Sequence, residues 1–177
     1  MQNSLIGGLS MAFLDHLDGS ELTLGDGYDG HFFNVTMAVG PGAANRRDDV
    51  MLVQYLLKRI YDHPERFDPP IHRPSGRDMT INGHFGRTTA TWITHFQREV
   101  SSRGGAPIRA DGRVDKSDSG GVSSISRTVY TIVLLNKGFQ LVDPIAFNDP
   151  VTDNECPVEL LRALGNFIVD VVAPVGG

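Results

Sequence analysis

The side chains of this chain that could do chemistry are a few histidines, one cysteine and some neighbouring carboxylates. His63 and His72 lie in one proline-rich loop over residues 62–80, but no further metal-ligating residues follow them at a matching spacing. Cys156 is the only cysteine, and its position before Pro157 predicts an inert thiol at the start of a helix. We therefore expect no metal site and no disulfide.

Two pairs of carboxylates are close in sequence, Asp48 with Asp49 and Asp149 with Asp153. Such pairs can act as general acid and base, but these lie in loops or at predicted helix starts, where solvation and capping explain them. The sequence also lacks the H-E-x-x-H helix of metalloproteases, the G-x-S-x-G turn of hydrolases and the P-loop. We therefore expect a protein that is not an enzyme and uses no cofactor.

A turn followed by a helix makes residues 81–97 the most informative stretch of the chain. Asn82 and Gly83 form a strong turn dipeptide, because both residue types tolerate positive φ. The helix after the turn places five side chains on one face of a 3.6-residue repeat. Those side chains are Thr89, Trp92, Ile93, Phe96 and Val100. The stretch therefore predicts a helix that packs on a core through one apolar face.

Composition limits the partners that the chain can have. Its 177 residues are 40% hydrophobic and 21% charged, as in soluble globular proteins, and the formal net charge is −5. This charge disfavours nucleic acids and anionic membrane surfaces. No apolar run reaches the ~18 residues of a membrane span. Residues 1–20 contain no Lys or Arg, so we expect a cytoplasmic protein, or one exported to the periplasm or cell wall by a route that reads no cleavable signal.

The N-terminal part of the chain favours β-structure. Residues 5–17 suggest a short helix, and residues 21–24 are strand-like. An Asp- and Gly-rich turn over residues 25–30 follows, and residues 31–39 then alternate between apolar and mixed positions. This alternation is typical of a half-buried strand. We therefore expect a β-hairpin in this part of the chain.

Two further helices are predicted on either side of the central stretch. The first ends at about Tyr61, before Pro64, and its wide apolar stripe indicates contact on two sides. The other covers residues 127–136, with Ser126 as its N-cap and Gly138 at its C-terminus.

The C-terminal part of the chain is expected to be extended or looped over residues 140–154, because Pro144 and Pro150 interrupt it. Pro157 suits the first turn of a last helix, which continues to Val172. This helix has few polar positions, so it must be buried against the domain or against a partner.

Three segments together carry a family resemblance. Asp49 to Leu57 reads D-V-x-x-V-Q-x-x-L, Asn82 to Gln97 reads N-G-x-F-G-x-x-T-x-x-W-I-x-x-F-Q, and residues 111–114 read D-G-x-V. These motifs resemble those of the small peptidoglycan-binding-like domain, over roughly residues 47–138. That family is an accessory module that attaches cell-wall hydrolases, transpeptidases and phage lysins to peptidoglycan and has no catalytic activity of its own.

The resemblance implies a mainly α fold with a compact three-helix core. We therefore expect an N-terminal β-hairpin extension over residues 1–40, a peptidoglycan-binding-like domain over residues 41–142, and a linker with an apolar helix over residues 143–177. Trp92 replaces a small residue of the family pattern, which predicts different packing around that position.

The resemblance also implies roles for individual residues. Structural residues that would hold the turns are Gln54, Gln97, Gly83 and Gly86, and residues that would fill the core are Phe85, Ile93 and Phe96.

The function implied is a non-catalytic module that recognises the glycan or the stem peptide of peptidoglycan. The candidate ligand-binding residues are Tyr61, His84, Phe85 and Arg87, and Arg87 would pair with a carboxylate of the stem peptide. For Tyr61 and Phe85 the alternative is packing in the core, and for Arg87 it is a solvated position. The alternative function is a protein-interaction or structural component, associated with a secretion system or a phage, that binds a protein partner through the C-terminal helix.

Overall fold

The computed structural model of the chain describes residues 13–16, 31–104, 107–117, 122–123 and 125–164. These residues are mainly helical, which confirms the predicted class. The strands are β1 (Phe13–His16) and β2 (His31–Asn34), and the helices are α1 (Arg47–Asp62), α2 (Arg87–Ser102), α3 (Thr131–Val142), α4 (Pro144–Asn148) and α5 (Val158–Ala163). Short 3₁₀ helices cover Pro64–Arg66 and Pro150–Thr152. None of the described helices is long and apolar enough to cross a membrane.

β1 and β2 form a two-stranded antiparallel sheet in which Phe13 is opposite Asn34 and His16 is opposite His31. The helix predicted over residues 5–17 is therefore wrong for residues 13–16, because pairing with β2 satisfies the backbone there and overrides a weak helical pattern. The remainder of that predicted helix lies outside the described residues. So do the predicted strand over residues 21–24 and the turn over residues 25–30.

β2 ends at Asn34, earlier than predicted, and it is not half-buried. Phe32 and Phe33 point to opposite faces, and both side chains are buried. The chain then bends toward α1, where the carboxylate of Asp49 accepts hydrogen bonds from the backbone N–H of Thr36 (2.7 Å) and of Met37 (3.0 Å). The Met37 side chain, which lies within the predicted strand over residues 31–39, is 48% exposed.

α1 is the central helix of the core. Most of its residues are buried, including Tyr55, Ile60 and Tyr61. It contacts α2, α3 and α5, which confirms the two-sided contact predicted from its wide apolar stripe. It ends at Asp62, just before the expected stop at Pro64.

α2 also follows its prediction. The side chains of Thr89, Trp92, Ile93 and Phe96 are buried, and Val100 packs against the same core. The indole Nε1 of Trp92 donates a hydrogen bond of 3.3 Å to the backbone carbonyl of Arg77. The indole therefore connects α2 to the loop between α1 and α2.

α3 begins later than predicted, at Thr131 instead of Arg127. Arg127 has a positive φ of 54°, and Val129 pairs with Val122 in an isolated β-bridge, so this segment is not helical. Gly138 lies inside α3 and is not a C-terminal cap. A Cβ at Gly138 would lie 2.8 Å from Cδ1 of Ile60, so this glycine allows α1 and α3 to approach closely.

The segment predicted to be extended over residues 140–154 is largely helical. α3 continues to Val142, and α4 follows after Asp143, whose side chain accepts a hydrogen bond from the N–H of Ala146 (2.9 Å). Capping by Asp143 lets a proline-containing segment form a helix, because Pro144 occupies the first position. α5 starts after Pro157 as expected, and the predicted helix beyond residue 164 lies outside the described residues.

One apolar cluster joins β2, α1, α3, α4 and α5. At its centre the ring of Phe33 packs edge-on against Phe147 (centroids 5.4 Å apart), and Tyr55 packs edge-on against Phe139 (5.3 Å). Such tilted aromatic pairs stabilise a core beyond the area that they bury. The core therefore contains residues from all three segments into which the sequence was divided.

Candidate functional site

The turn before α2 is held by the side chain of Gln54 in α1. Its Oε1 accepts hydrogen bonds from the backbone N–H of Asn82 (3.0 Å) and of Gly83 (2.9 Å). Its Nε2 lies within hydrogen-bonding distance of the carbonyl of His84 (3.1 Å) and of Oγ1 of Thr89 (3.0 Å). Gln54 therefore connects the turn at Asn82 and Gly83 to the N-terminal end of α2.

The turn before α3 is held in the same way by Gln97 of α2. Its Oε1 accepts a hydrogen bond from the N–H of Gly112 (2.8 Å). Its Nε2 donates to the carbonyl of Arg113 (2.8 Å) and to Oγ1 of Thr131 (2.9 Å), the first residue of α3. The expectation that the two glutamines hold the turns is thus confirmed.

Both turns need a glycine at their second position. Gly83 and Gly112 have φ values of 72° and 74°, in the left-handed region that favours glycine. A Cβ at Gly83 would also lie 2.8 Å from the carbonyl oxygen of Arg47. Gly86 differs, because its φ of −140° suits any residue and no atom lies within 4 Å of an added Cβ. The structural requirement expected at Gly86 is therefore wrong.

Tyr61, a predicted ligand-binding residue, lies in the core. Its side chain is 0% exposed, its ring packs edge-on against Trp92, and its hydroxyl donates a hydrogen bond of 3.1 Å to Glu99. Burial raises the pKa of this phenol, and the Glu99 carboxylate raises it further. The ring of Tyr61 is not available to a ligand, because it belongs to the apolar stripe of α1, which stays buried to the end of that helix.

The other three predicted residues lie around the turn before α2. Phe85 is half-buried and packs against the core, as expected from the resemblance. His84 and Arg87 are exposed. The structure therefore leaves His84 and Arg87 on the surface, with part of the Phe85 ring beside them.

Arg87 lies in a groove along α2 that the sequence analysis did not identify. Two adjoining clefts, of about 530 Å³ and about 330 Å³, share Arg87 and Thr91. We call them together the α2 groove. The residues that line it are Ser75, Gly76, Arg77, Arg87, Thr88, Ala90, Thr91, Trp92, Thr94, His95 and Arg98. The helical periodicity of its arginines and threonines was the signal in the sequence that could have revealed it.

The α2 groove is positively charged. Arg77, Arg87 and Arg98 are exposed, and no Asp or Glu lines the groove. Within the part of the chain that the structure describes, none of these three arginines forms an ion pair. Arg103, by contrast, lies 3.6 Å from a carboxylate oxygen of Glu99.

A smaller cleft of about 210 Å³ lies beside the turn before α3. Its two arginines have acidic neighbours. Arg113 lies 3.0 Å from Asp115, and Arg109 lies 3.7 Å from Asp111. The charge of this cleft is therefore largely compensated, unlike that of the α2 groove.

The acidic pairs noted in the sequence have structural roles. Asp149 caps the second 3₁₀ helix, as expected. Asp49 and Asp153 are buried instead of solvated, so that part of the expectation is wrong. Asp153 accepts a hydrogen bond of 2.7 Å from the hydroxyl of Tyr55 and lies 2.9 Å from Nε of Arg59. Asp153 therefore fixes the segment after α4 to α1.

The remaining candidate groups are the cysteine and the two loop histidines. Burial, with a smaller contribution from Asp153, raises the pKa of the Cys156 thiol to about 12, so it stays protonated at neutral pH. The imidazole of His72 is 86% exposed and lies near Glu99, whereas His63 faces Glu65. Among the described residues, no group of three His, Cys, Asp or Glu side chains could hold a metal ion.

Comparison of the chain with protein-family models, curated proteins and solved structures finds no match. The family resemblance therefore depends on the three sequence motifs alone.

Proposed function

We propose that the chain is a non-catalytic binding module that resembles the peptidoglycan-binding-like domain and recognises the glycan or stem peptide of the bacterial cell wall. The observation that carries this proposal is the pair of matching hydrogen-bond sets made by Gln54 and Gln97. Each glutamine lies at a motif position, and each holds a turn that is also part of a motif.

This coincidence makes a chance match of the motifs less plausible. In the middle motif, Asn82, Gly83 and Thr89 all bond to Gln54. Asp111 and Gly112, of the third motif, bond to Gln97 as Asn82 and Gly83 bond to Gln54. Polar residues that bond only when the helices and turns are assembled support the three-helix core that the resemblance implies, formed by α1, α2 and α3.

The wall-facing surface in this proposal is the rim of the turn before α2. A ligand composed of sugar and peptide requires a shallow groove, some aromatic surface and a few polar groups. His84 and Arg87 supply exposed polar groups, and Phe85 supplies part of an aromatic face. Tyr61 is not part of the proposed surface, because its side chain is fully buried.

Retention on purified sacculi tests the proposal directly. The full chain, with its fold checked by circular dichroism, should co-sediment with sacculi at low salt, and retention should saturate as protein is added. A folded protein that stays in the supernatant would exclude wall binding.

Two double variants make the test specific. His84→Ala with Arg87→Ala should weaken retention, because both side chains lie on the proposed surface. His63→Ala with Arg66→Ala changes the same residue types outside the groove and should leave retention unchanged. Equal loss in both pairs would indicate adsorption by charge alone.

A second candidate function is a protein-interaction or structural component of a secretion system or phage that uses the same fold. It is favoured by the distribution of exposed apolar side chains. Seven large apolar residues in the described part of the chain are exposed. Four of them fall within residues 141–158, namely Leu141 (54%), Ile145 (72%), Val151 (43%) and Val158 (55%). The opposite side of α5 packs on the core through Leu160, so a partner would contact the exposed side.

This second function has a separate test. A partner that co-purifies with the tagged full chain should be lost when Leu141→Asp and Ile145→Asp are combined. Ile125→Asp is the matched control, because Ile125 is 95% exposed and lies outside this segment. Retention of the partner by the double variant would argue against an interface at residues 141–158.

A further inference from the structure

We infer that the α2 groove binds an extended peptide of about five residues through two carboxylates, one at each end of the groove. This inference rests on the proposed function, because it names the part of the wall that the module would recognise. The stem peptide is the wall component with this chemistry.

The residues of the groove are arranged as a stripe on α2. Arg87, Thr91, Thr94 and Arg98 lie at positions i, i+4, i+7 and i+11, which share one face of an α-helix. They line the groove in that order, with the hydroxyl groups between the two cations. The stripe therefore offers a positive charge at each end and hydrogen-bonding groups between them.

One end of the groove has two arginines. Arg77 and Arg87 line the same cleft, with Arg77 on the loop and Arg87 on the helix. The loop is held there by the hydrogen bond from Trp92 to the carbonyl of Arg77. Because guanidinium groups bind carboxylates through paired N–H groups, this end is suited to a carboxylate held from two sides.

The charge of the groove is not neutralised by its own helix. Glu99 is the only acidic residue of α2, and it does not line the groove, although its carboxylate lies 3.5 Å from Nε2 of His95, which does. It accepts hydrogen bonds from the hydroxyl of Tyr61 and the backbone N–H of His72, and it lies near Arg103. The groove therefore remains cationic although the whole chain has a net charge of −5.

The length of the stripe sets the length of the ligand. Eleven residues separate Arg87 from Arg98, which corresponds to about 16 Å along an α-helix. An extended peptide covers about 3.3–3.6 Å per residue, so about five residues connect the two ends. A shorter peptide would reach only one of the two cationic ends.

Titration with a synthetic peptide tests the inference. The probe is the N-acetylated pentapeptide Glu-Ala-Ala-Ala-Ala, which has one side-chain and one terminal carboxylate. Arg87→Gln and Arg98→Gln should each weaken its binding about three- to fivefold, as for exposed ion pairs. The double variant should lose about tenfold or more, and Arg66→Gln, at an exposed arginine outside the groove, should bind as the wild type does.

Three further probes separate the possible ligands. C-terminal amidation of the pentapeptide, or shortening it to Glu-Ala, should weaken binding, since each removes contact with one end. Inorganic polyphosphate tests the phosphate groups of other wall polymers. Failure of the wild type to bind the pentapeptide, or tighter binding of polyphosphate than of the pentapeptide, would overturn the inference.

The inference and the proposed function can fail independently. Sacculus retention without any effect of the two groove substitutions would overturn the peptide site and leave wall binding intact. Peptide binding that depends on Arg87 and Arg98, in a protein that sacculi do not retain, would support the groove and remove the wall as its ligand.

Discussion

Gln97 and Thr131 are joined by a hydrogen bond of 2.9 Å from the side-chain amide of α2 to the first hydroxyl of α3. Gln54 and Thr89 make the matching bond of 3.0 Å between α1 and α2. Each helix therefore positions the start of the next one through a buried glutamine. The unit of glutamine, turn glycine and threonine occurs twice and determines how the three helices are connected.

Replacing Gln97 should destabilise the fold, because its side chain is buried and its amide makes several hydrogen bonds. Gln97→Ala would leave the N–H of Gly112 and the carbonyl of Arg113 without their partner. Unsatisfied buried groups cost about 1–3 kcal/mol, so we expect the free energy of unfolding to fall by at least that amount. Urea denaturation measures it.

Gln140→Ala is the matched control for this prediction. Gln140 lies half-buried in α3, and no hydrogen bond joins its side chain to the described residues of either turn. Its substitution should change the free energy of unfolding by less than about 0.5 kcal/mol. Equal losses at the two positions would mean that the turn bonds do not stabilise the fold.

The two glycines of the middle motif should respond differently to the same substitution. Gly83→Ala introduces a Cβ at a φ of 72° and 2.8 Å from the carbonyl of Arg47, so we expect a loss of about 1–3 kcal/mol. Gly86→Ala has an extended backbone and open space, and it should be close to neutral. Thermal unfolding of both variants measures the difference, and a Gly86→Ala as unstable as Gly83→Ala would contradict the assignment.

The sequence predicted best those features that local patterns determine. The apolar stripes of α1 and α2, and the turn at Asn82 and Gly83, depend on neighbours within a few residues. The structure confirms these predictions. The resemblance supplied the role of Gln54 and Gln97, which composition and periodicity alone do not reveal.

The features that were missed depend on distant contacts. Residues 127–130 are not helical because Arg127 lies in a turn, and Val129 pairs with Val122 and with the backbone of Pro107. Gly138 lies within a helix and does not cap one, and its lack of a side chain leaves room for Ile60 of α1. The α2 groove was missed because Arg77 reaches it from a loop whose position the sequence pattern does not specify.

Substitution of Asp153 should strongly lower the free energy of unfolding. Its side chain is 5% exposed, and it neutralises Arg59 while accepting a hydrogen bond from Tyr55. Asp153→Ala would leave a buried guanidinium with less compensation, and breaking a buried pair costs about 3–5 kcal/mol. Asp149→Ala removes only a cap and should cost about 1 kcal/mol. Urea midpoints of the two variants compare them, and similar midpoints would contradict a stabilising role for the buried pair.

Stability should fall in alkaline solution partly because of Cys156. Its pKa is raised from an ordinary 9.0 to about 12 in the folded chain, chiefly by burial. Between these values the unfolded chain releases the thiol proton while the folded chain keeps it. The contribution is therefore fully present below pH 9 and is lost as the pH rises toward 12, because deprotonation favours the unfolded state.

Cys156→Ala isolates this contribution from that of the buried tyrosines, whose ordinary pKa of 10.0 is higher. Between pH 9 and 10 the free energy of unfolding should decrease less steeply in the variant than in the wild type. The thiol of the folded wild type should also resist iodoacetamide at pH 8 and react after denaturation. Identical slopes, or rapid alkylation of the folded protein, would show that Cys156 is accessible and that its thiolate forms without unfolding.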